Sequence, residues 1–209
     1  MIKVLICDDH AVVRQGLKQI LTEDSKKFFC DEAQNGREVL DKIIEENWDA
    51  VVLDISMPGM TGIEILKEIK KIKPKLPVLV LTVHSEEQFG LRALKAGASG
   101  YLTKDSAPDE LINAINRIVS GGKYINQQIA EILVNDFGRD SDKPLHETLS
   151  DREFQIMRLI ASGKAPTQIA DELALSIKTV STYRARLLEK MKFSTNAEVT
   201  HYAITNKLV

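Results

Sequence analysis

The sequence predicts an α/β domain followed by a smaller all-α domain, and three observations support this. Five short apolar runs alternate with segments of helical periodicity over residues 1–120. These runs are almost continuously apolar, as at residues 50–53, which is typical of parallel strands buried on both faces. After residue 145 only helical patterns occur. We therefore expect a five-stranded, doubly wound parallel sheet joined to a four-helix domain.

The strands of the α/β domain are expected at residues 3–7, 28–33, 50–53, 77–81 and 99–102, each followed by a helix. In the first helix, Val12, Leu17, Ile20 and Leu21 recur at helical spacing and predict its buried face. The later helices are expected at 38–46, around 63–69, at 86–96 and at 108–119, where Pro108 suits a first helical turn.

A change of composition marks the end of this domain. Residues 125–137 allow one more short helix, and residues 138–144 are polar and end in Pro144. We expect a first domain at 1–120, a linker with room for that helix at 121–145, and a second domain at 146–209. The helices of the second domain should begin near Ser150, which forms a capping box with Glu153, and near residues 166, 177 and 196.

Composition and charge exclude several classes of protein. The longest apolar runs are far shorter than the ~18 residues of a membrane span, and no signal peptide is apparent, so no membrane partner is expected. Cys7 and Cys30 are too isolated for a disulfide framework or a zinc site, which favours the cytoplasm. Residues 146–209 hold nine basic and seven acidic residues, so the net −2 divides into +2 there and −4 before it. A basic module that meets a polyanion is therefore expected beside an acidic one.

Polar side chains follow four of the five predicted strands. Asp8 and Asp9 follow the first strand, Asp54 the third, Thr82 the fourth and Lys104 the fifth. Ligands bind outside the carboxyl ends of the strands in an open parallel sheet, so these side chains should converge. Converging carboxylates repel one another unless a cation lies among them, and oxygen ligands favour Mg²⁺. With Mg²⁺ and Lys104 stabilising the oxygens and Thr82 donating a hydrogen bond, Asp54 could be the nucleophile of a phosphoryl transfer.

At these positions the chain resembles the receiver domains of two-component response regulators, which have a flavodoxin-like fold. The resemblance covers about residues 1–120 and rests on Asp8-Asp9, Asp54 with Met57-Pro58-Gly59 and Gly62, Thr82, Tyr101 and Lys104. It implies that Asp54 takes a phosphoryl group from a sensor histidine kinase. Asp105 stands where many receivers have a proline, which leaves the isomer of the peptide bond after Lys104 open.

The same resemblance assigns roles around Asp54. The Mg²⁺ ligands that it implies are Asp9, Asp54 and the backbone carbonyl of Ser56, with Asp8 nearby. Thr82 and Tyr101 would form a switch pair: Thr82 moves to meet the phosphoryl group, which leaves space for Tyr101 to turn inward. The face made by the fourth helix, fifth strand and fifth helix would then change.

The second domain has the pattern of a helix-turn-helix that reads the major groove of DNA. Its long helix, at about 177–191, is strongly basic. At about 100° per residue, one stripe carries Lys178, Ser181, Thr182, Ala185 and Glu189, while Val180, Leu187, Leu188 and Met191 supply apolar contacts. A solvated charged face would have a similar pattern, but small hydroxyl residues beside cations favour contact with phosphates and base edges.

Residues 146–209 resemble the LuxR-type helix-turn-helix. The matching residues are Leu149-Ser150-Asp151-Arg152-Glu153, Gly163, Gln168-Ile169-Ala170, Leu173 and 176–191, whereas Pro166 is untypical. The two resemblances together indicate a response regulator transcription factor of the NarL/FixJ type, with double-stranded DNA and RNA polymerase as partners. They imply a homodimer on DNA, with dimer contacts near Glu198, Val199 and Tyr202 of the last helix. The DNA-contacting residues that we expect are Lys178, Thr179, Ser181, Thr182, Arg184, Ala185 and Arg186.

Other interpretations of single residues stay open at this point. The Asp8-Asp9 pair alone could cap a helix, and Tyr101 alone could be a half-buried aromatic residue. His84 is most simply a solvated loop histidine, and Cys7 a small buried hydrophobic residue.

Two other functions compete with this interpretation. A Mg²⁺-dependent phosphohydrolase would use Asp54 as its nucleophile, but it needs a second acid–base group, commonly as Asp-x-Asp, and Asp54-Ile55-Ser56 lacks one. A DNA-binding regulator that ignores phosphorylation would have no use for Asp54, Thr82 and Lys104 together. We therefore expect a phosphorylation-switched binding protein, not an enzyme.

Overall fold

The computed structural model describes residues 1–23, 27–137 and 144–209, which form two compact units, Met1–Glu131 and Ile132–Val209. The linker predicted at 138–144 lies, apart from Pro144, outside the described residues. The predicted domain limits at residues 120 and 145 stay predictions. No helix of the described ranges is long and apolar enough to cross a membrane.

Strands and helices alternate through the first unit, close to their predicted limits. They are β1 (Ile2–Cys7), α1 (Ala11–Glu23), β2 (Phe28–Ala33), α2 (Gly36–Glu45), β3 (Ala50–Leu53), α3 (Gly62–Ile72), β4 (Val78–Thr82), α4 (Glu86–Lys95), β5 (Gly100–Thr103) and α5 (Ala107–Val119). The helix α6 (Gln127–Phe137) follows. A 3₁₀ turn at Leu145–Thr148, which the sequence did not predict, precedes α7 (Asp151–Ala161), α8 (Pro166–Glu172), α9 (Ile177–Met191) and α10 (Asn196–Thr205).

The five strands form one parallel sheet in the order β2-β1-β3-β4-β5, which confirms the predicted fold class. Cys7 at the end of β1 pairs with Leu53 at the end of β3. Thr82 at the end of β4 pairs with Thr103 in β5. The residues that follow these strands therefore leave the sheet from one shared edge, where the predicted site residues lie.

The first helix corrects one detail of the predicted core. Leu17 and Leu21 are buried as expected, but Val12 is 83% exposed and the partly buried Val13 packs against the core instead. Because a helix turns about 100° per residue, Val13 lies about 40° around the axis from Leu17, whereas Val12 lies about 140° away. Apolar character alone placed Val12 on the buried face.

The second unit is all α, as predicted, and its core lies between α7, α9 and α10. Phe154, Met157, Leu187, Met191 and Val199 are fully buried in it. The predicted capping box at the start of α7 is present. The helices α8 and α9 are joined by a turn in which Ala174 has a φ of 51°. This arrangement leaves one side of α9 exposed.

Candidate functional site

Three predicted site residues meet at the carboxyl edge of the sheet. Lys104 follows β5, and its Nζ atom lies 2.6 Å from Oδ2 of Asp54 and 2.6 Å from Oδ2 of Asp8. Both carboxylates are buried, with 2% and 1% of the residue exposed. The pairing of β1 with β3 places them side by side, because the Asp54 N–H donates to the Cys7 carbonyl at 2.9 Å. The peptide bond after Lys104, whose isomer the sequence left open, is trans.

Charge is not balanced at this contact, since one ammonium group faces two buried carboxylates. Burial raises the pKa of Asp54, and the nearby Lys104 and the Ser56 N–H only partly offset this effect. Burial alone would lower the pKa of Lys104, but Asp54 and then Asp8 outweigh it and raise that pKa. The lysine is therefore held as a cation, and an excess of negative charge remains.

Asp9 and His10 extend this contact into a candidate metal-binding group. One ligand atom from each of Asp8, Asp9 and His10 lies within 4.8 Å of the others. The buried atoms Asp8 Oδ2 and Asp9 Oδ1 accept no hydrogen bond of normal geometry from the described residues, although Lys104 Nζ lies 2.6 Å from the first and His10 Nδ1 2.9 Å from the second. Buried carboxylate oxygens of this kind fit a cation, and an oxygen-rich set suits Mg²⁺. We refer to Asp8, Asp9, Asp54 and Lys104 as the acidic cluster.

Ser56 and His84 form a contact that sequence reasoning missed. The Ser56 N–H donates to Asp54 Oδ1 at 3.0 Å and fixes one carboxylate oxygen. The Ser56 hydroxyl lies 3.0 Å from Nε2 of His84, whose ring also packs 5.0 Å from that of Phe89. The expectation of a solvated His84 is therefore wrong, because the loop after β4 folds this half-buried ring toward the site. No sequence signal marks this contact, because it depends on how the loop after β4 folds and not on the order of the strands.

Thr82 and Tyr101, the predicted switch pair, are both fully buried. The Tyr101 hydroxyl donates to the carbonyls of His84 at 2.9 Å and Ser85 at 3.2 Å, and the His84 N–H reaches Thr82 Oγ1 at 3.4 Å. The structure thus holds Tyr101 inward already, which differs from the expectation that it turns inward on phosphorylation. These hydrogen bonds tie both residues to the loop after β4.

Gly62 allows α3 to begin close to the acidic cluster. Its N–H donates to the Ile55 carbonyl at 3.0 Å. A Cβ atom at this position would lie 2.3 Å from the carbonyl oxygen of Asp54 and 2.5 Å from Cα of Ile55. Only glycine permits this approach, which explains why the motif after Asp54 contains one here.

The exposed side of α9 carries most of the predicted DNA-contacting residues. Lys178, Ser181, Thr182, Ala185 and Arg186 are exposed, and Val180, Leu187 and Met191 are buried on the opposite side. Thr179 is half-buried, and its hydroxyl lies 2.7 Å from that of Ser176, the N-cap residue of the helix. Arg184 is also half-buried, and its Nε donates to Oδ1 of Asn196 at 2.7 Å. No sequence pattern indicates the contact between Arg184 and Asn196.

The three residues of α10 that were predicted to make dimer contacts differ in their exposure. Val199 is completely buried inside its unit, so its side chain is not available for a dimer contact, which corrects the expectation. Glu198 accepts hydrogen bonds from the backbone N–H groups of Ser194 and Thr195 and caps the helix. Tyr202 and Glu198 line a groove of about 520 Å³ on the surface of this unit.

Two family models match the chain. Residues 4–116 match the response regulator receiver domain, and residues 147–203 match the bacterial regulatory proteins of the luxR family. The chain is 39% identical over 210 residues to the response regulator GacA of Pseudomonas protegens, covering 100% of this chain and 98% of GacA. It is 35% identical over 209 residues to the response regulator UvrY of Escherichia coli K12, covering 100% and 96%.

Solved structures of similar proteins agree with these matches. The response regulator RcsB of Salmonella enterica serovar Typhimurium, bound to a promoter in the presence of phosphomimetic BeF₃⁻, is 25% identical with a TM-score of 0.60, covering 99% of this chain and 98% of RcsB. The response regulator ChrA of a heme-sensing two-component system is 30% identical with a TM-score of 0.51, covering 100% and 98%. Because matches of both kinds span nearly the whole chain, it belongs to the two-component response regulators that join a receiver domain to a LuxR-type DNA-binding domain.

Proposed function

We propose that Asp54 accepts a phosphoryl group from a sensor histidine kinase, and that this modification controls dimerisation and sequence-specific binding to double-stranded DNA. The observation that carries the proposal is the contact between the buried Asp54 carboxylate and Lys104 at 2.6 Å. A carboxylate nucleophile needs a fixed cation beside it, because negative charge spreads over the phosphoryl oxygens during transfer. Lys104 meets that need at the end of a neighbouring strand.

The chemistry follows from the positions of these groups. A carboxylate oxygen of Asp54 attacks phosphorus, and the new P–O bond forms as the P–N bond to the kinase histidine breaks. The electron pair of the broken bond returns to the imidazole nitrogen. Lys104 stabilises the phosphoryl oxygens, and Thr82 donates a hydrogen bond to one of them. In this scheme the protein is the acceptor of the group and not an enzyme that acts on a separate substrate.

Mg²⁺ is the cofactor that we propose for this step. The residues that would hold it are Asp9, Asp54 and the backbone carbonyl of Ser56, with Asp8 beside them. When bound, Mg²⁺ supplies positive charge to the phosphoryl oxygens. The buried carboxylate oxygens that lack normal hydrogen bonds support this assignment, because the excess negative charge of the acidic cluster needs a cation.

The DNA-binding surface that we propose is the exposed side of α9. Lys178, Ser181, Thr182 and Arg186 lie there together, and cations beside small hydroxyl groups suit phosphates and base edges. Thr179 and Ala185 complete the set, and Arg184 reaches DNA next to Asn196. RcsB structures that contain a promoter or dimers on two parallel DNAs support a homodimer on DNA. RNA polymerase as partner, a cytoplasmic location and domain limits near residues 120 and 145 belong to the same proposal.

One preparation tests both halves of this function. The chain is incubated with acetyl phosphate and Mg²⁺, its intact mass is measured, and it is then titrated onto a duplex selected from random sequence by the phosphorylated protein. We expect one added phosphoryl group and tighter DNA binding. Arg184→Glu should abolish binding, whereas Asn196→Ala, which removes only the internal contact of Arg184, should largely keep it. Equal binding by Arg184→Glu and the unchanged chain would contradict the α9 assignment.

A further inference from the structure

A pocket with a different chemistry lies at the opposite edge of the sheet from the acidic cluster. It encloses about 420 Å³ beside the residues that precede β4 and β5. Its four lysines come from four separate segments: Lys70 of α3, Lys75 of the loop before β4, Lys95 of α4 and Lys123 after α5. None of the described lining residues is acidic. Positive charge is therefore concentrated here, although residues 1–145 carry a net charge of −4.

Two of these ammonium groups are fixed by backbone carbonyls. Lys70 Nζ donates to the carbonyl of Leu76 at 2.6 Å, and Lys123 Nζ donates to the carbonyl of Ala98 at 2.6 Å. Leu76 and Ala98 shortly precede β4 and β5, which are paired neighbours in the sheet. The two cations are therefore anchored near neighbouring strand starts. Each ammonium group has three donors, so donors remain for a ligand after one has bonded to a carbonyl.

The arrangement is unfavourable for the lysines themselves. Burial and then the like charge of Lys123 lower the pKa of Lys70. The side chain of Lys70 packs along Gly97, where an added Cβ atom would lie 3.2 Å from its Cγ. An anion in the pocket would remove the repulsion between Lys70 and Lys123, and the described residues that line the pocket include no acidic side chain.

We propose that this pocket binds a small anion that contains several linked phosphoryl groups. Lys70, Lys75 and Lys123 alone supply three positive charges, which match a di- or triphosphate better than a single phosphate. The volume also exceeds what one phosphate fills, and ammonium groups bind phosphate oxygens as point charges. An inorganic polyphosphate and the phosphate tail of a nucleotide share this chemistry.

A natural reporter lies next to the pocket. A groove of about 640 Å³ shares Pro74, Lys75 and Pro77 with it and is also lined by Trp48, the single tryptophan of the chain. Trp48 is buried, and its Nε1 donates to the Lys42 carbonyl at 3.0 Å. Its fluorescence therefore reports on this side of the first unit without a label.

The test is a titration of the full chain with inorganic triphosphate, without Mg²⁺, followed by calorimetry and by Trp48 fluorescence. We expect saturable binding to one site and weaker binding of monophosphate. The double variant Lys70→Gln with Lys123→Gln should weaken triphosphate binding by about tenfold or more. The matched control is Lys27→Gln with Lys71→Gln, which removes two lysines of the same unit that do not line the pocket. That control should keep the affinity within about twofold.

A milder variant covers the case in which the double variant fails to fold. Lys75→Gln changes one exposed pocket lysine and should weaken binding by about threefold or more. Phosphorylation at Asp54 by acetyl phosphate, measured on the same variants, should be unchanged and would show that the first unit is intact. Adenosine triphosphate in place of inorganic triphosphate separates the two sources: tighter binding points to a nucleotide, and equal binding to the phosphates alone.

Three results would overturn the proposal. The first is no saturable binding of triphosphate to the unchanged chain. The second is an equal loss of affinity in the control and pocket double variants, which would indicate nonspecific attraction. The third is duplex DNA binding that persists in Arg184→Glu and is lost only when the pocket lysines are changed, while triphosphate does not compete with the DNA. That result would assign the surface to nucleic acid.

Discussion

Each unit of the molecule buries a carboxylate against a lysine, but the two arrangements differ in their balance of charge. In the first unit, Lys104 faces both Asp8 and Asp54 at 2.6 Å. In the second unit, Lys190 faces one carboxylate of the described residues, that of Glu153, at 2.6 Å. We refer to Glu153 and Lys190 as the capping pair, because Glu153 also accepts the backbone N–H of the N-cap residue of α7.

The pKa shifts of the two carboxylates have opposite directions. Burial raises the pKa of Asp54, and its partners do not offset this. Burial acts in the same sense on Glu153, but the hydrogen bonds from Lys190 and Ser150 outweigh it and lower the pKa. The lowered pKa of Glu153 means that the folded state favours its ionised form. At Asp54 the partners do not offset burial, which is the arrangement expected of a site that a ligand completes.

Asp54→Asn is expected to abolish phosphorylation, because the amide keeps the size of the side chain but is not a nucleophile. Intact mass after treatment with acetyl phosphate and Mg²⁺ measures the loss. Asp105→Asn is the matched control, since Asp105 is exposed next to Lys104 and should leave the added mass unchanged. A phosphoryl group on the Asp54→Asn chain would show that another carboxylate is the acceptor.

Glu153→Gln is expected to destabilise the second unit by about 1–3 kcal/mol, because the variant loses the negative charge that pairs with Lys190. The glutamine can still accept the backbone N–H in the capping box, so the variant isolates the charge. Hydrogen exchange of the α7 and α9 amides measures the effect. Glu189→Gln, on the exposed side of α9, should stay within about 0.5 kcal/mol of the unchanged chain.

The pH dependence of this difference follows from the lowered pKa of Glu153. A depressed pKa in the folded state means that the stabilisation is present above the unfolded pKa of about 4.3 and is lost as pH falls through the folded value. The stability gap between the unchanged chain and Glu153→Gln should therefore be constant near neutral pH and shrink below about pH 4. A gap that widens with acid would contradict the assignment.

Asp8→Asn is expected to act in the opposite direction, with a gain of about 0.5–1 kcal/mol when Mg²⁺ is absent. The change removes one of the two carboxylates that face Lys104 and so relieves the repulsion that helps to raise the pKa of Asp54. Urea unfolding followed by Trp48 fluorescence reports on this unit. The gain should disappear when Mg²⁺ is added, because the metal stabilises the unchanged chain more. A loss as large as that in Glu153→Gln would remove the distinction between the two regions.

Sequence patterns predicted the strands, the helices and the convergence of Asp8, Asp54 and Lys104, because strand ends follow from local hydrophobicity and sheet topology. They did not predict side-chain contacts that the order of the strands does not determine. The capping pair spans 37 positions, and the contact of Ser56 with His84 depends on how one loop folds. The inward position of Tyr101 also depends on carbonyl groups that no pattern marks. The lysine pocket is a further case, since its members are spread over residues 70–123.

A change at Thr82 tests whether phosphorylation in the acidic cluster is transmitted to the DNA-binding domain through this residue. Thr82 is buried at the end of β4, and its hydroxyl accepts the N–H of His84, whose carbonyl holds the Tyr101 hydroxyl. Because Tyr101 is already inward, we expect the proposed response to phosphorylation to come from Thr82 and this loop more than from a rotation of the ring. Phosphorylation can shift the equilibrium between an inactive and an active conformation only if the phosphoryl group interacts differently with the two. Thr82→Ala should therefore still accept phosphate at Asp54, more slowly because one hydrogen bond to the phosphoryl oxygens is missing. At equal phosphorylation it should lose part of the gain in DNA affinity, by about threefold to tenfold.

Two matched variants decide what this loss means. Thr82→Ser keeps the hydroxyl and should restore most of the gain, which a loss of packing alone would not allow. Thr103→Ala changes the residue that pairs with Thr82 on the neighbouring strand and should leave the gain intact. Phosphorylation and DNA affinity are measured on one preparation of each variant. If Thr82→Ala shows the full gain, the signal leaves the acidic cluster through another contact, and the Ser56–His84 hydrogen bond is then the next one to break, because it also joins the Asp54 loop to the loop after β4.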